Sequence, residues 1–144
     1  MPALLRDTPF DPWAVLGDYA KRADLQGKAG ATASFVGTLR DFNQGQDVRG
    51  VWLEHYPAMT QRYLDGLVAK ATAQWPLLEM LVIHRFGYIA VGEPIVLVAA
   101  FAAHRQAAFD ACREVMEALK KNAPFWKRED TAAGPRWVQP EGGA

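Results

Sequence analysis

The chain has 144 residues, of which 50% are hydrophobic and 22% are charged, a composition that excludes the disordered and fibrous classes of protein. This length suits one domain over residues 1–144 with a core of ordinary size. The 16 basic residues balance the 16 acidic ones, so we expect no nucleic-acid or membrane partner, and any basic site has to arise from local clustering.

Two further features bear on location and on metals. The longest strongly apolar run, PIVLVAAFAA at 94–103, is half the length of a membrane-spanning helix, and the N-terminus lacks a signal-peptide pattern, so we expect a cytoplasmic protein. Cys112 is the sole cysteine, which excludes an internal disulfide and a cysteine-rich metal site. The three histidines are too scattered for a metal-binding pattern, so we expect no metal. Glycine-rich nucleotide-binding motifs are also absent, and we expect no cofactor.

The first half of the chain predicts a helix, two strands and a second helix. DPWAVLGDYAKRA (11–23) begins with Asp11 as an N-cap before a proline and reads as a helix that ends near Gly27. GATASFVGTLRDF alternates like a half-buried strand with Arg40 at its polar end, and VRGVWLEHY (48–56) returns as a second strand. The turn-like DFNQGQD (41–47) between them favours a hairpin, and helical spacing follows from Pro57 to Pro76.

The second half predicts two strands, a long helix and a terminal hairpin. LEMLVIHRFGYI (78–89) and EPIVLVAAFAA (93–103) read as strands, the second a central one covered on both faces. HRQAAFDACREVMEALKKNA (104–123) is the strongest helix and ends at Pro124, after which FWKRED and PRWVQ flank a turn that contains Gly134. Paired strands with helices between them indicate an α+β fold, with a largely antiparallel sheet packed with helices.

His104 and Arg105 form the first candidate site. They lie where the buried strand gives way to the long helix, whose first N–H groups are unpaired and whose dipole is positive, so the two side chains could complete an anion site for a phosphate. The alternative is that both are solvated residues at a strand exit.

Lys120 and the stretch APFWKRED (123–130) form the second candidate. Lys120 lies beside the apolar stripe of the long helix, either as a surface cation or as a partly desolvated amine able to act as acid, base or nucleophile. Phe125 and Trp126 could pin the next strand to the core and so place Lys127 and Arg128 near Lys120, although an amphipathic strand edge with solvated charges explains the same pattern. Together with Arg40, all six cations fall at the ends of elements, where loops gather, and this combination favours a single site in which they, Arg128 included, bind substrate.

Five separated stretches, in the right order, make the chain similar to the large, catalytic subunit of molybdopterin synthase: VGTLRDFNQG, LEHYPAMT, VIHRFG, AAHRQAAF and LKKNAPFWKRE. The resemblance runs from about Pro12 to Val138. It implies a hammerhead-like α+β fold. It also implies a sulfurtransferase of molybdenum-cofactor biosynthesis, which converts cyclic pyranopterin monophosphate to molybdopterin by forming the dithiolene.

The resemblance further implies partners and residue roles. The sulfur would come from a small ubiquitin-like carrier subunit with a C-terminal Gly-Gly thiocarboxylate, and the large subunit would be a homodimer within a heterotetramer. Lys120 matches the essential lysine of the family and Lys127 a second catalytic lysine, which also contact substrate. Arg40, His104 and Arg105 match anion-binding residues.

Two other classes of function use the same residues. A lysine-dependent lyase or aldolase acting on a small phosphorylated metabolite would use Lys120 as a Schiff-base amine. A dimeric binding module without catalysis would need only the anion site.

Overall fold

A computed structural model describes residues 3–43 and 45–138, with the side chain of Gln46 left out. In chain order the elements are β1 (Ala3–Arg6), α1 (Pro12–Ala20), β2 (Ala31–Thr38), β3 (Phe42–Asn43), β4 (Gln46–His55), α2 (Pro57–Gln74), β5 (Leu77–Arg85), β6 (Gly87–Ala90), β7 (Pro94–Ala102), α3 (Arg105–Asn122), β8 (Phe125–Thr131) and β9 (Gly134–Val138). Among these described residues, none of the helices is long and apolar enough to cross a membrane.

The first sheet has the strand order β1-β5-β7-β2 and is antiparallel except for the β1–β5 pair. Alternate residues of β7 face two separate hydrophobic clusters: Val96, Val98 and Ala100 pack with α2 and α3, whereas Leu97 and Ala99 pack toward α1 on the other face. The prediction of a central strand covered on both faces is confirmed, and so is the α+β fold class.

The second sheet has the order β3-β4-β8-β9, and β6 lies on the side of β4 away from β8. The predicted hairpin between residues 31–40 and 48–56 is therefore wrong, because β2 pairs with β7 and β4 pairs with β6 and β8. Alternation of apolar residues marks a strand but does not choose its partner. Here the N–H of Leu39 donates to the carbonyl of Glu93 at 3.0 Å, and the chain then leaves the first sheet for the second.

The segment predicted as one strand at 78–89 is divided between the two sheets. Phe86 follows β5 of the first sheet, and Gly87, with φ of 78°, is the first residue of β6 in the second sheet. Positive φ strains any residue with a side chain, so a glycine here lets the chain change direction. A single continuous apolar segment of the sequence thus contributes one strand to each sheet.

The helices agree more closely with the sequence. The Asp11 carboxylate accepts hydrogen bonds from the N–H groups of Trp13 and Ala14 at 3.0 and 3.3 Å, as an N-cap should, but α1 ends at Ala20 and turns continue the chain toward Gly27. The bounds of α2 and α3 are confirmed, and α3 buries the whole predicted stripe, namely Ala108, Ala111, Cys112, Val115 and Leu119. The terminal β8–β9 hairpin is also confirmed up to Val138, while Gln139 lies outside the described residues.

Candidate functional site

The long helix α3 separates the predicted site residues into two groups. His104 is its N-cap residue and Arg105 its first residue, whereas Lys120 lies in its last turn. At the helical rise of 1.5 Å per residue, Arg105 and Lys120 are about 22 Å apart along the axis. A single chain therefore does not bring all the predicted cations together.

Arg40 belongs to the end of the fold that contains Lys120. Strand β2 runs antiparallel to β7, with Ala31 opposite Ala102 and Thr38 opposite Pro94. Helix α3 starts just after β7 and returns along it, because the thiol of Cys112, halfway along the helix, contacts the carbonyl of Val98 in the middle of the strand. The C-terminal end of α3 and the exit of β2 thus lie at the same end of the first sheet.

Lys127 is brought to this end by the short connection after α3. The helix is capped by Ala123, and β8 starts at Phe125 directly after Pro124. The Nζ atom of Lys127 is 4.0 Å from Oε2 of Glu129, two residues further along the same face of the strand. The half-buried side chain of Lys127 therefore has a buried acidic neighbour.

Arg128, in contrast, lies on the opposite face of β8. Its guanidinium carbon is 5.6 Å from the ring centre of Trp52 and 6.0 Å from that of Trp137, which are its cross-strand neighbours in β4 and β9. Cation–π contacts of this kind stabilise a cation over an aromatic ring. The structure thus corrects the expected grouping of Arg128 with Lys127, because successive strand residues point to opposite faces.

The aromatic pair of APFWKRED also divides between the two faces. Phe125 stacks on the buried ring of His84 with the centroids 4.1 Å apart, whereas Trp126 is 46% exposed and makes a T-shaped contact with the ring of Tyr56. The expectation that both aromatics pin the strand is therefore correct for Phe125 and wrong for Trp126. Burial lowers the pKa of His84 to about 4, so its ring is neutral near pH 7 and donates its Nδ1 hydrogen to the carbonyl of Arg85.

Glu129 is a functional candidate that sequence reasoning missed. Its side chain is 1% exposed and accepts hydrogen bonds from Nδ2 of Asn43 at 2.7 Å and Nε of Arg136 at 2.9 Å. The charged run KRED suggests a strand edge with all its charges in solvent, although Glu129 within it is buried. The available signal was the alternation of Phe125, Lys127 and Glu129 on one face of the strand.

Lys120 and Arg40 are exposed at this end of the fold, and Cys112 is buried away from solvent. Burial raises the pKa of the Cys112 thiol to about 11, which makes it a poor nucleophile near neutral pH. Within residues 3–43 and 45–138, no group of three or more His, Cys, Asp and Glu residues could hold a metal ion. The arrangement offers anion binding and proton transfer by lysine, without a sulfur atom of its own in position.

Comparisons with known proteins identify the family of the chain. The family model described as MoaE protein matches residues 5–122. The molybdopterin synthase catalytic subunit of Pseudomonas aeruginosa is 51% identical over 140 residues, which cover 96% of this chain and 91% of that one. A solved MoaE protein from Burkholderia ambifaria has a TM-score of 0.78 at 40% identity, and the match covers 96% of this chain and 88% of that one.

A second solved structure supports the fold alone, because its sequence identity is low. It is a complex of subunits 1 and 2 of molybdopterin-converting factor from Helicobacter pylori, with a TM-score of 0.81 at 20% identity over 96% of this chain and 91% of that one. The family match and the identity with the Pseudomonas subunit decide the matter: the chain belongs to the MoaE family of molybdopterin synthase catalytic subunits.

Proposed function

We propose that this protein is the catalytic subunit of a cytoplasmic molybdopterin synthase. It converts cyclic pyranopterin monophosphate to molybdopterin with sulfur from the C-terminal thiocarboxylate of a small ubiquitin-like carrier. The observation that carries this proposal is the placement of Arg40, Lys120 and Lys127 at one end of the fold, in a chain 51% identical with a catalytic subunit of this enzyme.

Arg40, Lys120 and Lys127 have different roles, which follow from their surroundings. Arg40 is exposed beside the turn that leaves the first sheet, where its guanidinium can bind the substrate phosphate in a bidentate manner. Lys120 donates a proton to the oxygen that leaves the pterin side chain as the thiocarboxylate sulfur forms the new C–S bond, and water then hydrolyses the resulting thioester so that the carrier leaves as a carboxylate. A transient covalent bond from the Lys120 amine to substrate, broken again by water, is the alternative. Lys127 assists, with its Nζ atom 4.0 Å from the carboxylate of Glu129.

His104 and Arg105 join this site through a second copy of the chain. Strand β2 is at the edge of the first sheet, with no strand on its outer side among the described residues. Phe35 of β2 and Phe109 of α3 expose apolar rings beside the groove between the two elements. Exposed sheet edges and apolar patches of this kind favour association.

A two-fold axis across β2 would pair the strand with its own copy in the antiparallel sense. The beginning of one β2 would then lie beside the end of the other, so that His104 and Arg105 of one chain approach Arg40 and Lys120 of its partner. This arrangement unites the cations that α3 separates. It supports a homodimer at the centre of a heterotetramer, with one carrier subunit for each site.

The carrier would have to deliver its sulfur as an extended tail. A C-terminal Gly-Gly segment has no side chains and can enter a narrow cleft, and strand addition along β9, an edge strand of the second sheet, would guide it. The carrier is needed because Cys112, the sole cysteine, is buried within the packing of α3.

The deciding experiment measures dithiolene formation by the purified protein with a thiocarboxylated carrier and cyclic pyranopterin monophosphate. We expect product from the wild type and a loss of at least about a hundredfold for Lys120→Ala, which removes a proton-transfer group. Lys121→Ala is the matched control, since it removes an exposed lysine one position along the same helix. Full activity of Lys120→Ala, or no product from the wild type with a competent carrier, would contradict the proposal.

A further inference from the structure

Arg85, the last residue of β5, carries a guanidinium that is buried but poorly bonded. The residue is 1% exposed, and its Nη2 atom donates to the carbonyl of Tyr88 at 2.8 Å. Its Nη1 atom lies 3.6 Å from Oε1 of Glu93, and within the described residues Nε and Nη1 have no hydrogen-bond partner. Such a group adds little to stability because its desolvation is costly, so its place in the fold calls for another explanation.

The guanidinium holds both sides of the turn that connects β6 to β7. Tyr88 belongs to β6, and Glu93 lies at the end of the turn, just before β7. The turn itself is closed by two contacts between Ala90 and Glu93: the Glu93 N–H donates to the Ala90 carbonyl at 3.1 Å, and the Glu93 carboxylate accepts from the Ala90 N–H at 2.8 Å. Arg85 therefore places a buried positive charge 3.6 Å from the carboxylate that closes the turn.

The β6–β7 turn is hydrogen-bonded to the backbone segment that carries Arg40. The N–H of Leu39 donates to the Glu93 carbonyl at 3.0 Å, and the Leu39 carbonyl accepts from the N–H of Gly92 at 2.9 Å. Gly92 has φ of 87°, a conformation that other residues adopt only with strain. The direction of its N–H therefore depends on the backbone conformation of the turn. Both backbone groups of the residue before Arg40 are thus bonded to the turn.

The backbone is also fixed on the other side of Arg40. The Asp41 carbonyl accepts from the N–H of Val48 at 2.8 Å, at the beginning of the second sheet. Arg40 is therefore an exposed side chain on a segment bonded to both sheets. Fixing the backbone of a binding residue before the ligand arrives lowers the entropy that binding would cost.

We infer that Arg85 is a positioning residue for Arg40, which it reaches through Glu93, Gly92 and Leu39. The inference rests on the proposed function, in which Arg40 binds the phosphate of the substrate. Arg85 itself does not contact substrate, since it is buried behind the turn.

The test is a double-mutant cycle on the affinity for cyclic pyranopterin monophosphate, measured by calorimetry with the dimeric protein. Arg85→Met keeps the approximate volume and removes the charge and the donors. We expect it to raise the Kd about threefold to tenfold in the wild type and to have no further effect in Arg40→Ala, because coupled residues are not additive. Glu93→Gln should give the same pattern with a smaller change, because it removes the charge yet can keep the acceptor for the Ala90 N–H.

Met80→Leu is the matched control, a conservative change at a buried position of the same strand, opposite Ala100 and so away from the turn. It should leave the Kd unchanged. An equal rise in Kd for Arg85→Met in both backgrounds would overturn the inference while leaving the role of Arg40 intact. An unchanged Kd for Arg40→Ala would overturn the phosphate-binding role in the proposed function as well. If Arg85→Met does not fold, Glu93→Gln decides by the same comparison.

Discussion

The Nζ atom of Lys127 lies 4.0 Å from Oε2 of Glu129, whose side chain is 1% exposed. The same carboxylate accepts hydrogen bonds from Asn43 of β3 and Arg136 of β9. A buried acid thus connects the proposed second catalytic lysine to the strand that follows Arg40 and to the last described strand of the chain. Its removal should affect both the fold and the reaction.

Glu129→Gln should lower the free energy of unfolding by about 2 kcal/mol. Breaking a fully buried pair costs about 3–5 kcal/mol, and here the loss is smaller because Arg136 is partly exposed and water can solvate it. Dithiolene formation should fall more than stability explains, because Lys127 loses its acidic neighbour. Chemical denaturation and turnover at a temperature where the variant remains folded check the two parts.

Asp130→Asn is the control for Glu129→Gln, because Asp130 is the next residue of β8 and points to the other face of the sheet. It should leave turnover close to that of the wild type. If both variants lose activity equally, the effect belongs to the charge of the strand and not to the contact with Lys127.

The protein should lose stability as the pH falls from about 6.5 to about 4, since His84 has a folded-state pKa of about 4 and an ordinary value of 6.5. Burial disfavours the charged ring, so the unfolded chain binds the proton at a higher pH than the folded protein does, and stability falls over that interval. The full effect is about 3 kcal/mol, from about 1.4 kcal/mol for each pKa unit. Denaturation midpoints measured across this pH range check it.

His84→Phe is the variant that isolates this effect. A phenyl ring can keep the stacking on Phe125 but cannot titrate. Its stability should therefore depend less on pH between about 6.5 and 4 than that of the wild type. Parallel curves for the two proteins would show that other groups cause the loss.

Cys112 should be unreactive in the folded protein and unnecessary for the reaction. Burial raises its pKa from 9.0 to about 11, so the thiolate is about a hundredfold rarer than in the unfolded chain. Iodoacetamide at pH 8 should modify it at least about a hundredfold faster in guanidinium chloride than in buffer. Cys112→Ala should keep full dithiolene formation while losing about 1 kcal/mol of stability, and a loss of sulfur transfer in a folded variant would contradict a carrier-borne sulfur.

Mixed dimers test whether the two ends of α3 act in trans. Arg105→Ala and Lys120→Ala chains, each weakly active alone, should recover about a quarter of wild-type activity when refolded together in equal amounts. Half of the dimers are then mixed, and each of these has one intact site and one that lacks both residues. Lys120→Ala mixed with Lys127→Ala should recover nothing, because those lysines belong to one chain. Equal recovery in both mixtures would contradict the shared site.

Local signals in the sequence predicted the helices well. Asp11 marks the start of α1, Pro124 follows the end of α3, and the apolar stripe that includes Cys112 faces the core as expected. These features depend on neighbours within one or two turns, which is the range over which sequence patterns act. The family resemblance, carried by motifs at several separate positions, also predicted the fold class correctly.

The strand partners and the faces of β8 could not be predicted in the same way. Nothing in the residues around Leu39 shows that the chain passes from one sheet to the other, because the bonds responsible go to Gly92 and Glu93 of a distant turn. The surroundings of Arg128 likewise come from distant segments, because Trp52 belongs to β4 and Trp137 to β9. Pairing between distant segments is a property of the assembled sheet, and local patterns carry little information about it.

The pairing of β4 with β8 also has a consequence for how the protein is made. Lys127 is opposite Leu53, more than 70 residues earlier in the chain, so a ribosome releases β4 long before its partner strand exists. During that interval one edge of β4 is open to pairing with other chains, which is a known route to aggregation. Synthesis of the residues that place Lys127 therefore completes the proposed active site and closes this vulnerable edge in one event.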